Sequence, residues 1–135
     1  MKNENNSDTG FKVNRILLLE SNFNRIPNVS FNDPVIKSNI DISVNSQTKE
    51  NKVFVTVTLK FEQLKEQLAE VSCIITMLGE FEQVGKIDLD LESFGKVNGA
   101  AIIYPYIREQ LSNLSLKAGL GNIILPPANF VKLNS

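Results

Sequence analysis

The 135-residue chain has no histidine, no tryptophan, two methionines and one cysteine, Cys73. Without histidine it lacks the usual base of a Ser-His or Cys-His dyad and the commonest zinc ligand. That argues against a neutral-pH hydrolase or a zinc site and leaves only carboxylate chemistry open. A lone cysteine cannot build an internal disulfide framework. Charge of one sign is also missing: 14 Lys and Arg stand against 15 Asp and Glu, so nothing marks a polyanion-binding surface. No apolar run approaches the roughly 18–20 residues of a membrane span. The first residues, Met1 to Gly10, are polar and Asn-rich, without the apolar stretch that export signals require. The expectation is a soluble, cytoplasmic protein with a disordered lead-in over residues 1–10 and one domain over 11–135, long enough to bury a core.

What is present is mostly period two. Phe11, Val13, Leu17 and Leu19 share one parity while Ile16 and Leu18 take the other, which predicts a strand partly covered on both faces. Ser21 to Pro34 reads as a long connection, bracketed by Pro27 and Pro34 yet carrying Phe23, Ile26, Val29 and Phe31. A second strand is expected from Val35 to Asn45, a polar turn from Ser46 to Asn51, and a third strand from Val53 to Phe61. Gln63 to Glu66 should connect to a fourth strand within Gln67 to Phe81. Short links make these strands antiparallel. After Gly85 the spacing changes to that of helices. Asp88 to Asn98 predicts a short helix, and Asn98 or Gly99 opens a long one that ends at Gly119 and Gly121. Ile103, Tyr104, Ile107, Leu111, Leu114 and Ala118 form its apolar stripe, with Ile102 and Tyr106 off that face. Pro105 should kink this helix or mark its true start. The tail from Asn122 to Ser135 reads as extended. The fold class is therefore α+β: a four-stranded antiparallel sheet followed by a short and a long helix packed on one face.

Chemistry-bearing candidates are few. Cys73 lies on the apolar parity of a strand and reads as a buried, inert thiol. Glu80, Glu82, Asp88, Asp90 and Glu92 read as solvated surface, since their spacing does not match a calcium loop. Gly119-Leu120-Gly121 follows a helix instead of opening one, so it is no phosphate loop, and adjacent Arg108 and Glu109 point in different directions. More informative is an excess of apolar residues outside regular elements: Phe23, Ile26, Val29 and Phe31 in the connection, Leu120, Ile123, Ile124 and Phe130 in the tail, and the off-face Ile102 and Tyr106. Such surface marks an oligomer interface or a binding groove.

Tyr104-Pro105-Tyr106-Ile107-Arg108-Glu109, then Leu114, Gly119 and Leu125-Pro126-Pro127-Ala128-Asn129-Phe130, resemble the Phe/Tyr-Pro-Tyr-x-Arg-Glu helix and Asn-Leu-x-Pro-x-Asn-Phe tail of the SecB family of protein-export chaperones. Ile124 replaces the usual Asn of that tail, and Phe11, Arg15 and Phe23 fall where the family's first strand and loop would place them. The resemblance spans about Phe11 to Leu133. It implies homotetramers, dimers of dimers, with helices between two eight-stranded sheets, which gives Ile102, Tyr106, Glu109 and Asn113 an oligomer interface. It implies an ATP-independent holdase for unfolded or precursor polypeptides, with no catalysis, no cofactor, no metal, no nucleic acid and no membrane insertion. Phe23, Ile26, Val29, Phe31, Phe94, Val97, Leu120 and Ile124 are the candidate client groove.

The departures concern export. Glu20 matches one family acid used to dock the translocase motor SecA, but Asn24 and Ile74 stand where others are expected. The sequence ends at Ser135, where the family extends toward that motor. Three readings follow: a general holdase for secretory precursors, a SecB-like chaperone dedicated to one unstable partner such as an antitoxin, and a self-assembling scaffold that binds no client.

Overall fold

The computed structural model describes residues 10–30, 36–85, 90–121, 123, 125 and 127–133. Four strands, β1 (Gly10–Arg25), β2 (Ile36–Lys49), β3 (Lys52–Lys65) and β4 (Leu68–Val84), form one antiparallel sheet in the order β1-β4-β3-β2. The expected turn at Ser46 to Asn51 and link at Gln63 to Glu66 are mostly strand. Each shrinks to two residues, with Glu50 and Glu66 taking the positive φ. Polar side chains misled there because the outer face and the hairpin ends of a sheet are wet, and pairing continues regardless. The β1–β2 connection is long for a topological reason. β1 and β2 are opposite edges, so the chain must cross three strand spacings, about 14 Å.

Alternation on the two central strands builds the core. Val53, Val55, Val57, Leu59 and Phe61 pair with Phe81, Gly79, Met77, Ile75 and Cys73; all ten residues are buried, and every side chain but that of Gly79, which has none, packs on one face. Two register shifts in β1, between Val13 and Arg15 and between Leu18 and Glu20, each flip its alternation. Ile16, Leu18 and Phe23 therefore share the core face with Gly79, Met77 and Cys73, while Leu17 lies opposite Leu78 on the other face. Simple parity could not see this, because each extra residue exchanges the two faces. β1 also runs on to Arg25, so Phe23 belongs to a strand and not to the connection.

The expected short helix and long helix are both present and are joined without a break in helical backbone. α1 (Leu91–Phe94) leads through a π turn at Gly95–Gly99 into α2 (Ala100–Lys117), with right-handed helical backbone at every junction. Asp90 caps the start: its carboxylate accepts the Glu92 N–H and the Ser93 hydroxyl. The glycines serve contact, not interruption. A Cβ on Gly95 would lie 2.8 Å from Val53 Cγ2, and one on Gly99 would lie 3.0 Å from Val55 Cγ2. Pro105 falls inside α2, so it does not mark the start. Ile103, Tyr104, Ile107 and Leu111 are buried against the sheet, as the stripe predicts, and Leu114 and Ala118 are half-buried. Gly119, at φ 74°, donates to the Leu116 carbonyl while Leu120 donates to Ser115, the paired bonds of a Schellman stop. Beyond it the tail is not simply extended. α3 (Phe130–Leu133) is a single turn capped by the Asn129 carboxamide, which accepts the Lys132 N–H.

Candidate functional site

The tail folds back over the core face. Ser115, buried in α2, accepts the Ile123 N–H through its hydroxyl and donates to the Ser112 carbonyl, anchoring the turn after the helix. Leu125 is buried, and Phe130 packs edge-on to Tyr104 with ring centroids 5.6 Å apart. Arg108 lies over the other aromatic partner, 5.9 Å from the Tyr104 centroid. Burial holds the Tyr104 hydroxyl protonated above the ordinary phenol range, with Arg108 acting in the opposite direction.

Between the returned tail and the edge strand β2 lies a recess of about 480 Å³. Ile42 lines it from the sheet, Tyr104 from α2, and Pro127, Ala128, Asn129, Lys132 and Leu133 from the tail. The lining is largely apolar, with no carboxylate among the described residues and with Lys132 as its charged member. Such a volume suits a few side chains of a guest polypeptide. Ile40, two residues away on the same strand, is exposed. A second depression, about 380 Å³, crosses all four strands; Asn22, Asn24, Asn39, Asp41, Lys60, Glu62 and Ser72 line it together with Ile40, Phe61, Cys73 and Ile74, and its exposed surface is mostly apolar.

The SecB family model (preprotein translocase subunit SecB) matches residues 4–135. The chain belongs to the SecB family. The fold is also that of the SecB-like chaperone Rv1957 of Mycobacterium tuberculosis, solved in complex with a ChAD peptide from the Rv1956 HigA1 antitoxin. The TM-score is 0.70 at 15% identity, covering 88% of this chain and 91% of that one. A Streptococcus agalactiae protein of unknown function shares it more loosely, with a TM-score of 0.52 at 10% identity over 87% of this chain and 98% of that one. In sequence, the uncharacterized protein MJ0357 of Methanocaldococcus jannaschii is 28% identical over 93 residues. That match covers 67% of this SecB-family chain but 60% of MJ0357, so the chain spans less than two-thirds of that relative's length.

The candidate groove residues do not form one group. Phe23, Val29 and Leu120 are half-buried and pack against the core. Ile26 is half-buried close by, its N–H donating to the Glu70 carbonyl. Arg25 ties this end together, donating to the carbonyls of Ile26, Pro27 and Ala118 at the end of α2. Phe94 and Val97 lie about 35 Å away along the helix axis. There Phe94 stacks on Phe11 at 3.6 Å and meets Phe81 edge-on, and with Val97, Asp90, Ser93 and Asn98 it also lines a separate depression of about 380 Å³. Phe31 and Ile124 lie outside the described residues. Ile102, Tyr106, Glu109 and Asn113 are all exposed on one side of α2, Tyr106 at 48%. The neighbouring Gln110 donates to the Ser21 hydroxyl of β1, so this helix side adjoins an edge strand that itself exposes Val13, Leu18 and Leu19. Glu20 is exposed on β1, opposite Thr76 on the outer face. Missing from the sequence-derived set were Ile42, Tyr104, Ala128 and Leu133. Asn129 ahead of Phe-Val-Lys-Leu was the available signal, since Asn favours the position that caps a helix.

Cys73 is buried as expected, its thiol pushed up to about 11 by burial. Among the described residues no group of His, Cys, Asp or Glu is placed to hold a metal ion, and no helix is long and apolar enough to cross a membrane.

Proposed function

We propose that this chain is an ATP-independent holdase that keeps extended, apolar stretches of unfolded polypeptides in the recess between β2 and the returned tail. The observation that carries this reading is that apolar recess, set beside an exposed edge strand in a member of the SecB family. Each large apolar side chain buried there contributes about 1.5–3 kcal/mol, so several along one client give useful affinity with little sequence preference. Phe23, Ile26, Val29 and Leu120, at the end of the sheet where the chain leaves β1, extend the same client surface in this proposal. The protomers assemble as a homotetramer, a dimer of dimers. Exposed Val13, Leu18 and Leu19 on β1 and Ile102 and Tyr106 on α2 support a contact between copies there.

A second reading has its own support. The likeness to a SecB-like chaperone held with an antitoxin peptide favours service to one unstable partner. Asn24 and Ile74, standing where family acids are expected, favour the same direction over coupling to SecA, while Asp41 and Glu62 line the second depression and Glu20 remains on β1. Two measurements separate the readings. Dilution of an unrelated denatured protein into this one should leave it unaggregated if the holdase is general. A single stoichiometric partner recovered from the native host would favour the dedicated chaperone. Leu133→Asp places a charge at the recess rim and should abolish holding while the fold persists; unchanged holding by that variant refutes the site. A stable assembly that suppresses no aggregation and binds no partner refutes both readings and leaves a scaffold.

A further inference from the structure

Glu70 is the least exposed acid among the described residues, at 4%, and no basic side chain bonds to it directly among the bonds the structure gives. Its position in the sheet is irregular. β3 and β4 keep register down to Gln63 opposite Val71, then shift so that Leu64 meets Ala69 and Glu70 is the extra residue. Alternation breaks there, and Glu70 and Val71 are both buried. A bulge of this kind re-aims a side chain. Here the carboxylate is aimed at the segment that leaves β1 for the opposite edge. The Ser30 N–H donates to Glu70 Oε1 at 2.9 Å, and the Ser30 hydroxyl donates to Oε2 at 3.3 Å. Two residues of β3 complete the grip: Lys65 Nζ donates to the Ser30 hydroxyl at 3.2 Å, and Gln63 Nε2 donates to its carbonyl at 3.3 Å. The other end of the segment is held by the Glu70 backbone, whose carbonyl accepts the Ile26 N–H at 3.0 Å. Between these two anchors lies Val29, packed on the same core cluster as Ile42, Leu120, Ile123 and Ala128.

Burying a carboxylate costs free energy that a surface turn would not incur, and polar clusters of this kind select one backbone conformation. We propose that Glu70 is a positioning residue for client capture, clamping the Ile26–Ser30 segment as a fixed wall of the client surface. This rests on the holdase reading. A wall already in place spares the complex the cost of ordering that segment when a client binds.

The test uses the whole protein with reduced, carboxymethylated α-lactalbumin as an unfolded probe. Glu70→Ala should speed amide exchange at Ile26 and Ser30 by about tenfold or more, leave the centre of β3 and β4 protected, and weaken probe affinity about tenfold. Glu70→Gln can still accept the Ser30 N–H and should remain within about threefold of the parent on both readouts. Faster exchange without weaker binding overturns the proposal, and so does a Gln variant as impaired as the Ala variant. If Glu70→Ala does not fold, Ser30→Ala removes only the hydroxyl and should move both readouts in the same direction by about threefold; a null effect overturns the clamp. A parent protein that binds no probe overturns the holdase reading and this proposal with it. A parent that binds normally beside an indifferent Glu70→Ala overturns this proposal alone.

Discussion

Phe130→Ala tests whether the tail is an integral part of the core or a loose appendage. Phe130 is 4% exposed although it lies near the end of the chain, and its ring meets Tyr104 edge-on at 5.6 Å. Truncation to alanine removes the buried ring and leaves a cavity, at about 3–5 kcal/mol by analogy with other cores, of which about 0.5–1.5 kcal/mol is the aromatic pair. A domain of this size unfolds with an entropy of roughly 2.1 cal/mol/K per residue, so the midpoint should fall by roughly 10 °C or more. The same truncation undoes the wall that Pro127, Ala128 and Leu133 give the recess, so holding of unfolded polypeptide should fall with it. Differential scanning calorimetry and an aggregation-suppression assay on the same preparation read both effects. A midpoint within about 2 °C of the parent refutes the packing argument. A large drop in midpoint with intact holding at low temperature refutes the placement of the client surface. Phe130→Leu, which keeps most of the buried area, should cost about 1 kcal/mol and preserve holding.

Gly95→Ala would gain helix propensity in isolation, yet its Cβ would press on Ser46 Oγ and lie 2.8 Å from Val53 Cγ2. It should destabilise by about 1–3 kcal/mol in denaturant titration, and a stabilised variant would show that the π turn does not press on β3. Tyr106→Asp puts a charge on the exposed side of α2 and should lower the solution mass in multi-angle light scattering without changing the circular dichroism spectrum; an unchanged mass refutes an interface there. The Glu80 carboxylate is held below its ordinary value of 4.5, first by the Asn14 side-chain amide and then by Lys52 and Arg15, against a desolvation that acts the other way. A depressed folded value means the stabilisation is complete above the unfolded value and is lost as pH falls through the folded one. Glu80→Gln should therefore reduce the loss of stability below pH 4.5, measured by thermal melts between pH 3 and 6, and an unaltered acid limb refutes this role.

Much of the fold was legible because it obeys local periodicity. Val53 to Phe61 alternates with Phe54 as the one apolar residue on the outer parity, and Ile103, Ile107 and Leu111 recur at helical spacing, so both buried faces follow from backbone geometry alone. The Schellman stop at Gly119 was readable for the same kind of reason, since glycine takes a left-handed backbone at little cost. The faces of β1 were not legible. Two bulges exchanged them, and a bulge is a bargain between neighbouring strands that no single strand encodes. The candidate site divided along the same line. Ile102 and Tyr106 could be placed off the apolar stripe from spacing, and they are exposed. Phe94 lines a depression with Val97, but its ring contacts with Phe11 and Phe81, residues distant in the chain, were not legible.

The sequence by itself determined four strands, the order of elements along the chain, the helix stripe and the membership that the helix-and-tail signature carries. These depend on repeats of two and 3.6 residues and on residue types at helix ends, which act within a few positions of one another. Tertiary structure alone decided that Phe130 returns to Tyr104, that Ile42 faces Ala128 and Leu133 across a recess, and that Glu70 reaches Ser30. Each joins residues tens of positions apart, and such contacts come from the sum of packing and desolvation over the whole domain, which no local window contains.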